Sequence, residues 1–245
     1  MGARMKPVAI FQHTDIGRPG SVTSIIEALG VPHTLIEIYK GHAIPEQPDA
    51  FSGLIFMGGP MGANDDYDWL EHERALIRRA DAQDIPVSGH CLGAQQLAKA
   101  LGAGVRRNHR AEVGWQPIVV EAHPVAHEWW GSGPDTSLLT FQWHGDTFDL
   151  PPQACRIATG SHCVNQAFVV RDLHIGMQSH FEMTPDLVRD YYERNGGFLR
   201  REHAAGNPAV TSVEETLANL EARTAQLKTV LERVYARWAR GLKTG

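Results

Sequence analysis

Residues 85–102 read IPVSGHCLGAQQLAKALG. The stretch from Ile85 to Gly89 has the apolar character of a strand, and Leu92 to Leu101 the period of a helix that Gly102 closes. Only His90 and Cys91 lie between them. A join this short has the form Gly-x-nucleophile-x-Gly, with cysteine in the place that serine takes in a hydrolase elbow. Gly89 and Gly93 permit the strained turn that lifts Cys91 out of a sheet, and the helix N-terminus behind it favours a sulfur anion.

Working outward, the same alternation repeats. Val8 to Gln12 reads as a strand, Ser21 to Leu29 as a helix closed by Gly30, and Thr34 to Ile38 as a second strand. Phe51 to Met57 runs as a third strand into Gly58-Gly59-Pro60, and Tyr67 to Ala82 has the acidic start and basic end that suit a helix dipole. Strand-helix alternation predicts a doubly wound, mostly parallel α/β sheet flanked by helices. From Gly114 to about Met177 shorter runs (Gln116 to Val120, Leu138 to Trp143, Ala167 to Val170, Ile175 to Gln178) predict antiparallel additions or further edge strands. Thr184 as N-cap and Pro185 behind it open a helix expected to end near Asn195-Gly196-Gly197.

Beyond it, Val213, Leu217, Leu220, Leu227, Leu231, Val234 and Trp238 form one stripe that predicts a single helix from Val213 to Arg240, interrupted at Thr224. The simplest arrangement packs this helix on its own chain; pairing with a second copy, as a homo-oligomer, is the alternative. The expected organisation is one domain over 1–245, with a core at about 6–195 and a C-terminal helical extension at about 196–245.

Composition narrows the function. The 245 residues are 42% hydrophobic, enough for a substantial core, and 23 Lys+Arg against 28 Asp+Glu leave a net charge of −5. No basic excess points to nucleic acid or to a membrane surface, so the expected partner is a small molecule. No apolar run reaches the length of a transmembrane helix and no secretory signal is apparent, so a cytoplasmic location is expected. Cys91, Cys155 and Cys163 make no disulfide framework, and only Cys91 has a setting that suits chemistry. His123, His127 and Glu128 have a ligand-like spacing, but Pro124 disturbs a helix there and no metal is expected. The run from Arg106 to Arg110 reads as a solvated edge.

A sulfur nucleophile attacking an amide needs a base that later protonates the leaving nitrogen, and that base needs an orienting group. Among thirteen histidines, His180 follows an apolar run and stands two residues before Glu182, on the same side of an extended segment.

The elbow from Gly89 to Gln95, the earlier Gly58-Gly59-Pro60 and the late Ser179-His180-Phe181-Glu182 resemble, in this order, the class I (triad) glutamine amidotransferase domain. Trp143-His144-Gly145-Asp146 narrows the resemblance to the amidotransferase domain of GMP synthase and its free-standing relatives, over roughly Lys6 to Asn195. The resemblance implies that Cys91 is the nucleophile, His180 the base and acid, and Glu182 its orienting carboxylate. It further implies an oxyanion hole from the N–H groups of Gly59 and Leu92, and substrate binding by Gln95, His144 and Asp146. No metal or organic cofactor is implied.

In the coupled enzymes of this family ammonia from glutamine passes to an ATP-using synthetase. No Gly-x-x-x-x-Gly-Lys-Ser/Thr loop and no Ser-Gly-Gly-x-Asp stretch occurs here, so a separate synthetase or acceptor subunit is the expected source of that chemistry. Three readings compete: hydrolysis of the glutamine γ-amide through a Cys91 thioester, the same chemistry on a larger γ-glutamyl compound, and a non-catalytic binding module. The intact Cys91, His180 and Glu182 weigh against the last.

Overall fold

The computed structural model describes residues 5–243. Its centre is a nine-stranded sheet in the order β2-β1-β3-β4-β9-β8-β7-β5-β6. The parallel half consists of β1 (Val8–Gln12), β2 (His33–Glu37), β3 (Gly53–Phe56), β4 (Val87–His90) and β9 (His174–Met177). The antiparallel half adds β5 (Val105–Val120), β6 (Ser137–Phe148), β7 (Ala154–Gly160) and β8 (Ala167–Val170).

The inner strands of the parallel half are covered on both faces, which explains why β1 and β3 are apolar on both sides and fully buried, whereas β2 at the sheet edge keeps Thr34 and Leu35 exposed. Along β1, Val8 and Ile10 join one core cluster while Ala9 and Phe11 join the other. The first cluster includes residues of α1 (Ser21–Ala28), α4 (Pro124–Trp130), α5 (Pro185–Ala204) and α7 (Leu220–Trp238). The second includes residues of α2 (Asp68–Ala82) and α3 (Leu92–Ala100). Among the described residues no helix is long and apolar enough to cross a membrane.

Besides β9, which pairs in parallel with β4 at the centre of the sheet rather than as an antiparallel or edge addition, the structure departs from the sequence expectations in three places. Gln116 to Val120 is only the end of β5, a 16-residue strand that takes up the basic run 106–110; β6 pairs along it, with a register shift between Arg107 and Glu112. The same antiparallel half contains β7, which periodicity alone did not reveal.

The second departure is α5, which continues through Gly196 and Gly197 to Ala204. Its next turn places Leu199 in the core, and that packing outweighs the low helix propensity of the two glycines.

The third is the C-terminal helix, which is two helices, α6 (Val213–Leu217) and α7. Asn219 at φ 53° breaks them apart in the left-handed region that asparagine tolerates. The inward group of α6 is Thr216 rather than Leu217: Thr216 accepts hydrogen bonds from Trp115 Nε1 through its carbonyl at 2.9 Å and from the Tyr192 hydroxyl at 2.7 Å. Thr224 does not interrupt α7, because its hydroxyl donates back to the Leu220 carbonyl at 2.8 Å and is thereby buried at no polar cost.

Leu227, Leu231, Val234, Tyr235 and Trp238 of α7 are buried within the chain itself, against α1 and α4. Arg237 pairs with Asp172 in the β8–β9 turn and lies over the Trp129 ring at 5.4 Å. Replacing Leu231 with alanine empties a fully buried site and is expected to cost about 2–5 kcal/mol. Urea unfolding reads this directly; a loss under about 0.5 kcal/mol would exclude α7 from the cooperative core.

Candidate active site

The elbow is built by backbone contact. A Cβ on Gly93 would stand 2.1 Å from the Phe56 carbonyl oxygen, and one on Gly89 would stand 2.4 Å from Gly93, so both positions admit only hydrogen. Cys91 sits between β4 and α3 at φ 48°, an unfavourable conformation for a residue with a side chain. It is held there by its own N–H, which donates to the Met177 carbonyl at the end of β9 at 2.8 Å. The Gln178 amide reaches the Cys91 sulfur at 3.6 Å.

His180 stands three residues beyond β9, and its N–H donates to the Phe141 carbonyl of β6 at 2.8 Å. Its Nδ1 meets Glu182 Oε1 at 2.6 Å, while Nε2 is buried with no hydrogen-bond partner. The free nitrogen belongs to a ring that flanks Gly58 together with Cys91: a Cβ on Gly58 would touch His180 Cε1 at 2.9 Å and Cys91 Cβ at 3.5 Å. Tyr191 of α5 packs edge-on against the ring at 6.1 Å between centroids.

Burial opposes charge on His180, but the neighbouring Glu182 and Cys91 outweigh it and raise its pKa. The same burial works against the Glu182 carboxylate, and the charges and hydrogen bonds of His180 and His90 hold it well below the ordinary range. Burial pushes the Cys163 thiol up to about 11 and raises that of Cys155 as well, which disfavours the thiolate at both.

Gly59 and Leu92 both line the cavity beside Cys91. The peptide that carries the Gly59 N–H is anchored from behind, because His13 Nδ1 donates to its Gly58 carbonyl at 3.3 Å while Nε2 donates to Glu73 at 2.8 Å. Burial lowers the pKa of His13, yet the Glu73 carboxylate raises it overall, which favours the ring form that can donate from both nitrogens. In a trans peptide the carbonyl and N–H point oppositely, so fixing the Gly58 oxygen also fixes the Gly59 N–H.

The cavity has a volume of about 700 Å³. Gln95, His144 and Asp146 line it, but each is already engaged. Gln95 is buried rather than solvated, and donates to the Gln178 side chain at 3.2 Å and the Asp146 carbonyl at 3.3 Å. His144 meets the Asp146 carbonyl at 2.9 Å through Nδ1 and Glu112 at 2.9 Å through Nε2. Asp146 keeps its carboxylate toward the opening, where an exposed Arg107 reaches it at 3.2 Å.

Sequence reasoning missed the outer wall, which is Tyr191, Asn195 and Phe198 on one face of α5. Their helical spacing was visible, but the expected end of that helix at Asn195 concealed it.

Among the described residues one trio, Glu112, His144 and Cys163, brings metal-type ligand atoms within 4.8 Å of one another. Its atoms already have protein partners: Gln166 donates to Glu112 at 2.8 Å and Cys163 meets Thr147 at 3.2 Å. His123 serves as a helix cap, accepting from the Val125 N–H at 3.2 Å.

The model of the class-I glutamine amidotransferase family matches residues 20–198. A crystal structure of a glutamine amido transferase from Methylobacillus flagellatus is 40% identical, covering 99% of this chain and 97% of that one, with a TM-score of 0.95. The glutamine amidotransferase-like protein YfeJ of Salmonella typhimurium is 30% identical over 216 residues, 84% of this chain and 87% of YfeJ. Gamma-glutamyl peptidase 4 of Arabidopsis thaliana is 26% identical over 179 residues, 70% of this chain and 71% of that protein. The family match takes in the elbow, the Gly58–Gly59 loop and the His180–Glu182 pair, and this chain belongs to the class-I glutamine amidotransferase family.

Proposed function

We propose that this protein hydrolyses the γ-amide of glutamine to glutamate and ammonia through a γ-glutamyl thioester on Cys91. The observation that carries the reading is the disposition of His180, whose Nδ1 is fixed on Glu182 at 2.6 Å while its buried Nε2 is left unpartnered beside Cys91. A ring held in that way is oriented to take a proton on one nitrogen only.

In the first half-reaction the Cys91 sulfur, its proton passed to His180 Nε2, forms a bond to the γ-carbon. The electron pair displaced onto oxygen is received by the Gly59 and Leu92 N–H groups. His180 then gives its proton to the nitrogen as the carbon–nitrogen bond breaks, and ammonia leaves. Water adds to the thioester with His180 as base, and the sulfur departs with glutamate released. Asp146 is assigned to the substrate ammonium, exchanging Arg107 for it. Gln95 and His144, engaged with the Asp146 backbone, hold that segment over the cavity. No step calls for a metal or an organic cofactor.

One observation favours a second substrate. The likeness to gamma-glutamyl peptidase 4 of Arabidopsis thaliana, 26% identical over 70% of this chain, supports a γ-glutamyl compound with a group beyond the scissile nitrogen. Where the ammonia is used, activation of its acceptor would come from outside these 245 residues, by a separate synthetase. Free cysteines and the absence of a long apolar segment support a cytoplasmic location.

An electrophilic glutamine analogue is expected to add once, at Cys91, with Cys155 and Cys163 unmodified at neutral pH. Cys91→Ala should abolish that adduct and all turnover; peptide mapping that finds the label elsewhere with activity retained overturns the nucleophile assignment.

Glu182→Gln should lower kcat by about 10²- to 10⁴-fold while the adduct still forms, since the thiol remains but its base is no longer oriented. Unchanged turnover would remove Glu182 from the mechanism.

Incubation with glutamine and with γ-glutamyl dipeptides, following released amine and intact mass, separates the two substrates. Faster turnover of glutamine supports the amidotransferase-type glutaminase, and faster turnover of the dipeptides the peptidase. No acyl adduct and no release with either, from a protein whose Cys91 still alkylates, would overturn the hydrolytic reading for the isolated chain.

A further inference from the structure

The second oxygen of Glu182 has a partner that the mechanism above does not use. Oε2 accepts from Nδ1 of His90 at 2.9 Å, and His90 Nε2 meets the hydroxyl of Tyr235, on α7, at 2.9 Å. The Tyr235 hydroxyl is also 3.1 Å from Ser88 Oγ. Ser88 and His90 are two apart on β4 and project to the same side of the strand, toward α7. All three side chains are fully buried.

We propose that His90 and Tyr235 are positioning residues that hold the Glu182 carboxylate in register with His180, so that the C-terminal helix α7 takes part in setting the catalytic base. The inference rests on the Cys91–His180–Glu182 reading above. Its geometry is directional. With Nδ1–H of His90 donated to the carboxylate, Nε2 is an acceptor for the Tyr235 hydroxyl, whose oxygen accepts in turn from Ser88. Every polar atom in the series then has a partner, and Glu182 is gripped at both oxygens, by His180 at 2.6 Å and by His90 at 2.9 Å.

Without the His90 donor, Glu182 Oε2 would be a buried carboxylate oxygen with no hydrogen bond from this side. The carboxylate would then turn about its last torsion to recover one. That turn carries Oε1 away from His180. Tyr235 prevents it at one remove, because its ring is itself clamped edge-on by Trp238 at 5.5 Å and stacked beside His90 at 6.2 Å. The titratable groups around Glu182 are His180 on the same segment, His90 on β4, Tyr191 on α5 and Tyr235 on α7, with Cys91 beyond His180.

The test uses the full chain as Tyr235→Phe, His90→Ala and His90→Asn. The Asn amide can stand where Nδ1 stood and donate to Glu182, but it does not reach Tyr235. For each variant, kcat and KM with the better of glutamine and a γ-glutamyl dipeptide, the rate of Cys91 alkylation by iodoacetamide as a function of pH, and the thermal midpoint are measured.

Tyr235→Phe is expected to lower kcat by about 3- to 30-fold with KM within about twofold. His90→Ala should lower it further, and His90→Asn should recover part of that loss. The pH midpoint of Cys91 alkylation should move upward in the same order, since a loosened Glu182 supports the His180 imidazolium less.

Unchanged kcat and alkylation midpoint in Tyr235→Phe and His90→Ala, with native melting, overturn the inference. So does a loss that follows the thermal midpoint alone, with no shift in the alkylation profile and no recovery in His90→Asn. Tyr235→Phe keeps the ring packing and decides the matter if His90→Ala fails to fold. A wild-type chain that alkylates at Cys91 but turns over neither substrate defeats the functional reading alone, and the alkylation midpoints still decide whether His90 and Tyr235 set the base.

Discussion

The first turn of α3 lies on the backbone of β3 with nothing between them, and the arrangement of the site follows from that contact. Gly93 approaches the Phe56 carbonyl so closely that a single methyl group would overlap it at 2.1 Å. A helix can begin within two residues of a strand only when the join is this tight, and the turn forces Cys91 to φ 48°. Such a conformation persists because neighbours over-determine it. The Met177 carbonyl takes the Cys91 N–H at 2.8 Å, so the strand that leads to His180 is the one that pins Cys91. The spacing of Cys91 and His180 is thus a property of the β4–β9 pairing rather than of two mobile side chains.

Electrostatics supply the second layer. Glu182, 2% exposed, is a charge that burial alone would neutralise. It stays anionic because two histidines face its two oxygens. A buried carboxylate with one donor removed is among the costlier defects a core can hold, and this makes the geometry around it stiff. The same device recurs on the opposite side of Cys91, where buried Glu73 grips His13, and His13 in turn grips the Gly58 carbonyl. Both buried acids are paired with a histidine, Glu182 with His180 and Glu73 with the His13 that holds the Gly58 carbonyl.

The helices beyond the elbow complete the site from outside. The continuation of α5 past two glycines brings Tyr191, Asn195 and Phe198 to one wall of the cavity. Arg18–Asp190 and Arg194–Asp15 pairs join that helix to the loop after β1, although pairs so exposed contribute little stability. Helix α7 packs on the same face of the sheet as α5, opposite α2 and α3. Its apolar residues close the core over α1 and α4, and its Tyr235 reaches His90, the residue next to Cys91.

Elements whose signal is local were legible in the sequence. The apolar strands β1 and β3, the tight join at Cys91 and the cap at Thr184-Pro185 are each written in consecutive residues, because backbone sterics and strand or helix period act over a few positions. The same holds for His180 and Glu182, whose separation by two in an extended segment already puts them on one side. What tertiary structure alone decided depends on contacts between distant residues. The break at Asn219 follows from Thr216 pairing with Trp115 and Tyr192, and the persistence of α5 through Gly196-Gly197 from the burial of Leu199. The engagement of Gln95 and His144 with the Asp146 backbone, and the reach of Tyr235 across 145 positions to His90, likewise have no counterpart in spacing. Periodicity reports which face of an element is apolar; only packing determines which polar group on that face finds its partner.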